Sequence, residues 1–356
     1  MQENIKNIKL LLNKEQLKAV ILTSWANMFY VSGFSGTTAT VLCTLDQVYL
    51  LVDSRYIEQA RFSSSHCEII LVDAQQTVEK CIQEICLAKD IQVIGFEEDH
   101  MTVANYQTLK QKLQVSFKPC SFVEVRSIKS TLEIEKMQHS AFIADQVIEQ
   151  VIHEIQVGMS ELDVEMLLLQ KIKNLGGDSF SFKTIVASGL RGAMPHGVAS
   201  RKIIERNDMV TIDFGAIYQG YCSDLTRTFA MSRNINPKLV EIYNIVLEAQ
   251  IAAINHCRPG VSCKEVDKIA RDIIGVAGYQ DFFQHGTGHG LGIDIHEFPR
   301  LNPQTDVLLQ EGMVVTIEPG IYIPQLGGVR IEDDILITAN GSIRLTKSSK
   351  DLKYIG

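Results

Sequence analysis

Four acids and a run of histidines hold the chemistry legible in this chain. Asp213 lies in VTIDFGA, Asp224 in CSDLTRT, Glu318 in VVTIEPG and Glu332 in GVRIEDD. His285, His289 and His296 fall together in HGTGHGLGIDIHE, among four glycines. Asp213 and Glu318 follow apolar residues in patterns that read as buried strands. An ionised acid in such a strand has to be paired or bound to a cation.

The spacing of the acids places them face to face. MVTIDFGAIYQGYCSDLTRTFAM reads as a hairpin reversing near Tyr218, Gln219 and Gly220. A turn centred between Tyr218 and Gln219 sets Asp213 opposite Asp224, with Cβ atoms roughly 4.5–5.5 Å apart on one face. Two aspartates so close repel each other, and a bound cation offsets the repulsion. Glu318 precedes Pro319-Gly320, where its strand must stop, and Glu332 is expected in a strand over 328–338. Their midpoint, Gln325, falls in the connecting loop, so this pair also faces one way. Asp, Asp, Glu and Glu with one histidine form a hard, oxygen-rich set. It suits two divalent ions better than one tetrahedral zinc. Two ions about 3.5–4 Å apart can share a bridging hydroxide and clamp a reacting carbonyl.

The histidine run fits no phosphate motif. A dinucleotide loop needs G-x-G-x-x-G, but the third glycine would fall on Leu291 or Ile293. No Gly-Lys-Ser/Thr follows, and H-E-x-x-H fails because Arg300 stands where the second histidine belongs. What remains is one histidine ligand on a Gly-rich strand or loop, with its neighbours doing other work.

Two regions must position these residues. In residues 1–126 short apolar runs at 19–23, 38–44, 48–53, 68–73 and 93–96 read as strands, and 77–88 and 102–113 as helices. This is a small α/β domain. The segment VEVRSIKSTLEIEKM contains the boundary, and Ser130 with Glu133 forms a capping box that opens a helix over 131–156. Residues 127–356 read as α+β: further helices begin after Ser160 and cover 237–256 and 263–278, packed on an antiparallel sheet of acid-bearing strands.

Bulk properties narrow the class. The 356 residues carry a net charge of −8, which argues against a nucleic-acid footprint. No apolar stretch approaches the ~20 residues of a membrane helix, and the N-terminus MQENIKNIKLLLNKEQ lacks an uninterrupted apolar core, so no signal peptide is expected. Eight cysteines without a C-x-x-C pair read as buried free thiols in a reducing cytoplasm. Neither internal repeat nor low-complexity tract is evident.

Six short segments, in order, resemble the metallopeptidases of the pita-bread fold (peptidase family M24), which include methionine aminopeptidase, aminopeptidase P and prolidase. They are PHG at His196, TIDFGA, CSDLTRT, HGTGHGLGIDIHE, TIEPGIY and GVRIEDD. The first region is similar to the creatinase-type N-terminal domain, with FSGTTATVL and LVDSRY its clearest pieces. The resemblance implies a pita-bread domain of helices on a curved antiparallel sheet. It implies that Asp213 chelates one ion, that Asp224 and Glu332 bridge the two, and that His289 and Glu318 complete the ligand set of the other ion. The ions would be Mn²⁺ or Co²⁺, with Zn²⁺ or Fe²⁺ also accepted. His285 and His296 match histidines that hold substrate and stabilise the tetrahedral intermediate. His196 matches a substrate-binding histidine, and Arg330, from the outer edge of the metal shell, is grouped with these substrate contacts. Glu318 is the expected proton carrier to the leaving nitrogen.

Within the family, the N-terminal domain argues against a simple methionine aminopeptidase, and the full ligand set against metal-free creatinase and non-catalytic relatives. An aminopeptidase preferring short peptides with proline second is the expectation. An Xaa-Pro dipeptidase stands next, then broad or methionine-specific trimming, then peptide binding without turnover. The resemblance further implies a homodimer, and the free cysteines and the N-terminus lead to the expectation of a cytoplasmic protein. Trp25 is expected in packing, with an active-site role that limits substrate length as its alternative; Arg55 and Tyr56 are read as structural.

Overall fold

The apolar runs of the first region form one mixed sheet. The computed structural model describes residues 2–356, and the chain divides into two compact units, Met1–Arg126 and Ser127–Gly356. In the first unit β1 (Ala19–Leu22), β2 (Thr40–Thr44), β3 (Val48–Val52), β4 (Glu68–Leu71), β5 (Val93–Glu97) and β6 (Ser116–Cys120) lie in the order β4-β3-β2-β1-β5-β6. The β1–β2 and β2–β3 pairs are antiparallel and the others parallel. Every residue of β1 and β3 is buried, as continuous apolar strands covered on both faces should be. Helices α1 (Gln2–Lys14), α2 (Trp25–Ser32), α3 (Ile57–Ser63), α4 (Val78–Ala88) and α5 (Val103–Lys112) complete the unit.

The segment around Trp25 is helical. The Ser24 side chain accepts the Asn27 N–H at the start of α2, and Gly33 closes it with φ 71°. Trp25 stacks on Phe29 with ring centroids 5.2 Å apart and is 38% exposed.

The second unit pairs helices with antiparallel strands in two halves. Helices α6 (Thr131–Val151) and α7 (Glu161–Asn174) cover β7 (Ser179–Phe180), β8 (Ile185–Ser188), β9 (Met209–Phe214), β10 (Ala216–Tyr218), β11 (Tyr221–Cys222) and β12 (Leu225–Ala230). Val147, Ile148 and Leu168 from the helices join Val186, Ile212 and Phe214 in one core. Helices α8 (Pro237–His256) and α9 (Cys263–Val276) cover β13 (Gly288–Gly290), β14 (Glu297–Leu301), β15 (Val314–Ile317), β16 (Gly320–Ile323), β17 (Gly327–Arg330), β18 (Asp333–Thr338) and β19 (Gly341–Arg344). Ile242, Val246 and Ala270 pack there on Val315, Ile317 and Ile335. The Ser130–Glu133 capping box forms as the sequence predicts, with the Ser130 N–H 2.9 Å from Glu133 Oε2. Helix α6 stops at Val151 rather than 156. Val151, Ile152 and Ile155 are β-branched and weaken the helix, and the chain turns there to bury Ile152 and Ile155.

Two strand expectations need correction. Tyr218 pairs with Tyr221, so the hairpin turns on Gln219 and Gly220, both with positive φ (48° and 81°). A two-residue hairpin turn needs that left-handed pair, and glycine supplies its second position most easily. The register therefore moves: Asp213 opposes Thr226 rather than Asp224. Asp224 stands two positions before Thr226 and keeps the parity that aims both carboxylates to one side. The strand expected over 328–338 is interrupted, β17 ending at Arg330 and β18 starting at Asp333, with Glu332 in the gap.

All eight cysteines are buried free thiols. Among the described residues, no helix is long and apolar enough to cross a membrane.

Candidate metal centre and active site

The two halves of the second unit each deliver acids to one cleft. Asp213 is carried by the central strand β9, between Ile185 of β8 and Thr226 of β12. Asp224 lies in the short break before β12, its backbone N–H held at 3.0 Å by Asp334 Oδ2. From the other half, β15–β18 pairs Ile317 with Asp333, and β16–β17 pairs Gly320 with Arg330. Both ladders, counted inward, meet at Glu318 opposite Glu332. There the strands part: the Glu318 N–H bonds Thr287 O at 2.8 Å and the Glu332 N–H bonds Thr226 O at 3.2 Å.

His289 enters on β13, the strand between β14 and β15. A Cβ at Gly288 would overlap the Thr316 carbonyl, and one at Gly290 the Phe298 carbonyl. The glycines of the histidine run thus let β13 sit tightly between its neighbours. The His289 backbone N–H bonds Thr316 Oγ1 at 3.1 Å, and its Nδ1 lies 3.0 Å from Gly290 O. A carbonyl only accepts, so Nδ1 carries the proton and Nε2 keeps its lone pair. Nε2 lies 3.3 Å from Glu318 Oε1 and 3.7 Å from Asp224 Oδ2. Burial, then the nearby His296, pushes the His289 pKa down to about 3, so the imidazole is neutral and these contacts are not ion pairs. A lone pair facing two carboxylate oxygens describes a cation site.

The carboxylates say the same. Burial and the neighbouring Glu332 and Asp213 raise Asp224 well above its usual range. Burial, Glu318 and Asp213 do the same to Glu332. Burial, offset in part by Arg330, lifts Glu318 to about 7. Asp213 Oδ1, Asp224 Oδ1 and Glu332 Oε1 are buried with no hydrogen-bond partner. Asp224, His289 and Glu332 offer ligand atoms within 4.8 Å of one another.

The rest of each carboxylate is oriented by its neighbours. Thr226 Oγ1 donates to Glu332 Oε2 at 2.6 Å and accepts from Arg330 Nε at 3.1 Å. Thr316 Oγ1 donates to Glu318 Oε1 at 3.1 Å. Arg330, buried, donates to Asp213 Oδ2 at 2.5 Å, to Tyr322 Oη at 2.8 Å and to Pro195 O at 3.1 Å. His285 Nδ1 lies 2.8 Å from Gly286 O, and Nε2 lies 2.9 Å from Tyr322 Oη. Since Arg330 uses the Tyr322 oxygen as acceptor, the hydroxyl proton is free for His285 Nε2. Both ring nitrogens of His285 are therefore engaged. Burial, then Arg330, lowers its pKa to about 4. Arg227, fully buried beneath the site, donates to Glu332 O at 2.5 Å and Asp333 Oδ1 at 2.7 Å.

These acids and histidines line a cleft of about 550 Å³. His196, His285, His289, His296 and Arg330 all border it, so every site residue expected from sequence meets here. Phe182, Ile185, Pro195, Val198 and Ile295 add apolar wall, and Lys183 and Arg300 add exposed cations. The sequence reading missed Thr226, Thr316, Tyr322, Lys183 and Arg300. Strand parity could have found Thr226, two residues beyond Asp224 on the same face.

Residues 135–339 match the metallopeptidase family M24, and residues 4–128 match the creatinase/prolidase N-terminal domain. The chain belongs to metallopeptidase family M24. It is 41% identical over 356 residues to the Xaa-Pro dipeptidase of Pyrococcus horikoshii, covering 99% of each. It is similar to the solved Xaa-Pro dipeptidase of Bacillus anthracis, with a TM-score of 0.94, 41% identity and 99% of each chain covered. It is also similar to the X-Pro aminopeptidase of Thermotoga maritima, with a TM-score of 0.91, 32% identity, and 98% and 99% covered. An M24 metallopeptidase implies a dinuclear metal site. The residues present fit that group: orphaned, buried carboxylate oxygens converge on a neutral imidazole whose free nitrogen points among them.

Proposed function

We propose that this M24 metallopeptidase is an Xaa-Pro dipeptidase. The observation that carries this reading is Arg300. It is paired with His289 across β13–β14, which sets both side chains on one face, and it stands exposed at the cleft. Beyond the scissile carbonyl, a dipeptide ends in a carboxylate one residue away, about 3.8 Å on the scale of the backbone. A cation beside the metal ligands receives that carboxylate, while a longer peptide presents a neutral amide there. Lys183 adds a second positive charge to the same cleft. The two 41% identical dipeptidases support this choice over the aminopeptidase that the sequence put first.

Asp213, Asp224, His289, Glu318 and Glu332 would hold two divalent ions, Mn²⁺ or Co²⁺ by the hardness of the oxygen-rich set. When bound, such ions bring the pKa of water near 7 and polarise a carbonyl. The chain's own groups do the rest. Glu318 accepts the proton of the attacking water and passes it to the proline nitrogen. That nitrogen has no hydrogen of its own before protonation. His296 stands exposed at the cleft, its ring centroid 4.4 Å from that of His289, and donates to the oxygen that gains charge. His196, which lines the same cleft, holds the substrate. His285 acts through Tyr322 and Arg330, keeping Asp213 in place. The apolar wall receives the proline ring.

The test is a chain-length series. Initial rates on Ala-Pro, Ala-Pro amide and Ala-Pro-Ala should fall steeply once the carboxylate is masked or moved. Faster cleavage of Ala-Pro-Ala than of Ala-Pro would instead support an aminopeptidase.

A further inference from the structure

His196 sits on an exposed loop, yet that loop is closed by one buried carboxylate. Glu161, the first residue of α7, has no exposed surface. Its Oε1 accepts the Ser188 N–H at 2.8 Å and the Ser188 hydroxyl at 2.9 Å. Its Oε2 accepts the Ser200 N–H at 3.2 Å, the Ser200 hydroxyl at 2.7 Å and an Arg191 N–H. Ser188 and Ser200 are the two ends of the loop 188–200, and Arg191 reaches back to Val198 O at 2.8 Å. The backbone of α7 joins in: the Leu162 N–H bonds Ser200 O at 3.1 Å and the Glu161 N–H bonds Lys202 O at 3.0 Å. Helix-start N–H groups without an internal partner are thus satisfied by the loop's end.

The loop between those ends faces the chemistry. Val198 bridges to Ile185, the strand neighbour of Asp213, and the Ala199 N–H bonds Thr184 O at 3.2 Å. Arg330, which holds Asp213, also donates to Pro195 O at 3.1 Å. His196 follows Pro195 directly and lines the cleft, while its own side chain is exposed. Among the described residues no hydrogen bond or ion pair holds the His196 side chain itself, so its position depends on the backbone of the loop.

We infer that Glu161 is the positioning residue for substrate binding by the 188–200 loop, fixing His196 and the Val198 wall against the metal ligands. The inference rests on the peptidase reading for what His196 binds, but the placement of His196 by Glu161 is independent of it. A carboxylate is needed because all its partners donate. Glutamine keeps the shape and turns one acceptor into a donor facing Ser200 and Arg191, or Ser188.

Two readouts test this. In the metal-free protein with ring-labelled histidine, the His196 resonance, assigned by its loss in His196→Ala, should shift or broaden in Glu161→Gln while the His289 resonance stays. In the metal-loaded enzyme, Glu161→Gln should raise KM for Ala-Pro about tenfold with a smaller change in kcat, the size expected of a misplaced binding group. In a His196→Ala background the same substitution should add less than about twofold, because coupled residues are not additive. An unmoved His196 resonance, or full multiplication of the two effects, overturns the inference. Should Glu161→Gln fail to fold, Ser200→Ala removes one hydroxyl donor and should show the same coupling at smaller size. Its additivity with His196→Ala would overturn the inference equally. Absence of wild-type turnover on any peptide would defeat the dipeptidase reading, and the resonance would still decide the role of Glu161.

Discussion

Glu318 and Glu332 fall opposite each other at the point where two antiparallel ladders part. On one side Ile317 pairs with Asp333, on the other Gly320 with Arg330. The glutamates' own N–H groups bond to Thr287 and Thr226, on neighbouring segments. The gap frees both side chains to turn into the cleft. Two buried carboxylates facing each other are mutually destabilising as anions. The fold accepts that cost where cations can offset it.

Thr226 ties Glu332 to Arg330, so its hydroxyl should matter to metal binding. Thr226→Val leaves Glu332 Oε2 without its 2.6 Å donor. Metal affinity by calorimetry should fall about 10–100-fold, as for other partners that orient a ligand. Unchanged affinity would show that Glu332 is held by its backbone alone, through Arg227 and Thr226 O.

Metal binding should release protons increasingly as pH falls from 8 to 6. Glu318 has its pKa raised to about 7, so below that pH a proton must leave before the carboxylate can ligate. Calorimetry in buffers of different ionisation enthalpy counts those protons. For metal-free folding the sign is fixed by the same shift. The folded pKa lies above the ordinary carboxylate value, so this group's contribution is full below about pH 4.5 and is lost as pH rises through 7. A proton count that stays flat across this range would contradict the assignment.

Gly288 should tolerate no side chain. A methyl group there would overlap the Thr316 carbonyl and push β13 from β15. Gly288→Ala should cost about 1–3 kcal/mol, the usual penalty of overpacking, seen as a lower denaturant midpoint, and should weaken metal binding by moving His289. Wild-type stability with wild-type metal affinity would refute the close-approach argument.

Arg300 should govern chain length. Arg300→Ala should raise KM for Ala-Pro about 10–100-fold, in line with losing a hydrogen bond between charged groups. KM for Ala-Pro-Ala should change little, so the two substrates converge. Equal losses on both would remove Arg300 from carboxylate recognition.

Much of this site was legible because strand pairing obeys simple arithmetic. The Glu318–Glu332 midpoint falls on Gln325, which has φ 62° in the 324–326 turn, and the pairing follows. The aspartate pair slipped by two because the sequence alone did not choose between Tyr218-Gln219 and Gln219-Gly220 as the turn. Face parity survived, since two positions restore the same side. Helix α2 was hidden because an aromatic-rich segment before Gly33 suits a turn as well as a short capped helix. The Glu161 clasp and the Arg330–Tyr322–His285 chain join residues far apart in sequence, and no local pattern announces such contacts. Arg300 drew attention only as the residue that broke a zinc motif. Its place opposite His289 comes from the pairing of β13 with β14.

The most direct measurement is metal stoichiometry against activity in chelator-stripped protein. Turnover of Ala-Pro should be absent without metal and should rise as Mn²⁺ or Co²⁺ is added, saturating near two ions per chain. Asp224→Asn should bind fewer ions and remain inactive at saturation. Turnover that persists in the stripped protein, or full activity in Asp224→Asn, would contradict the dinuclear site on which the account rests.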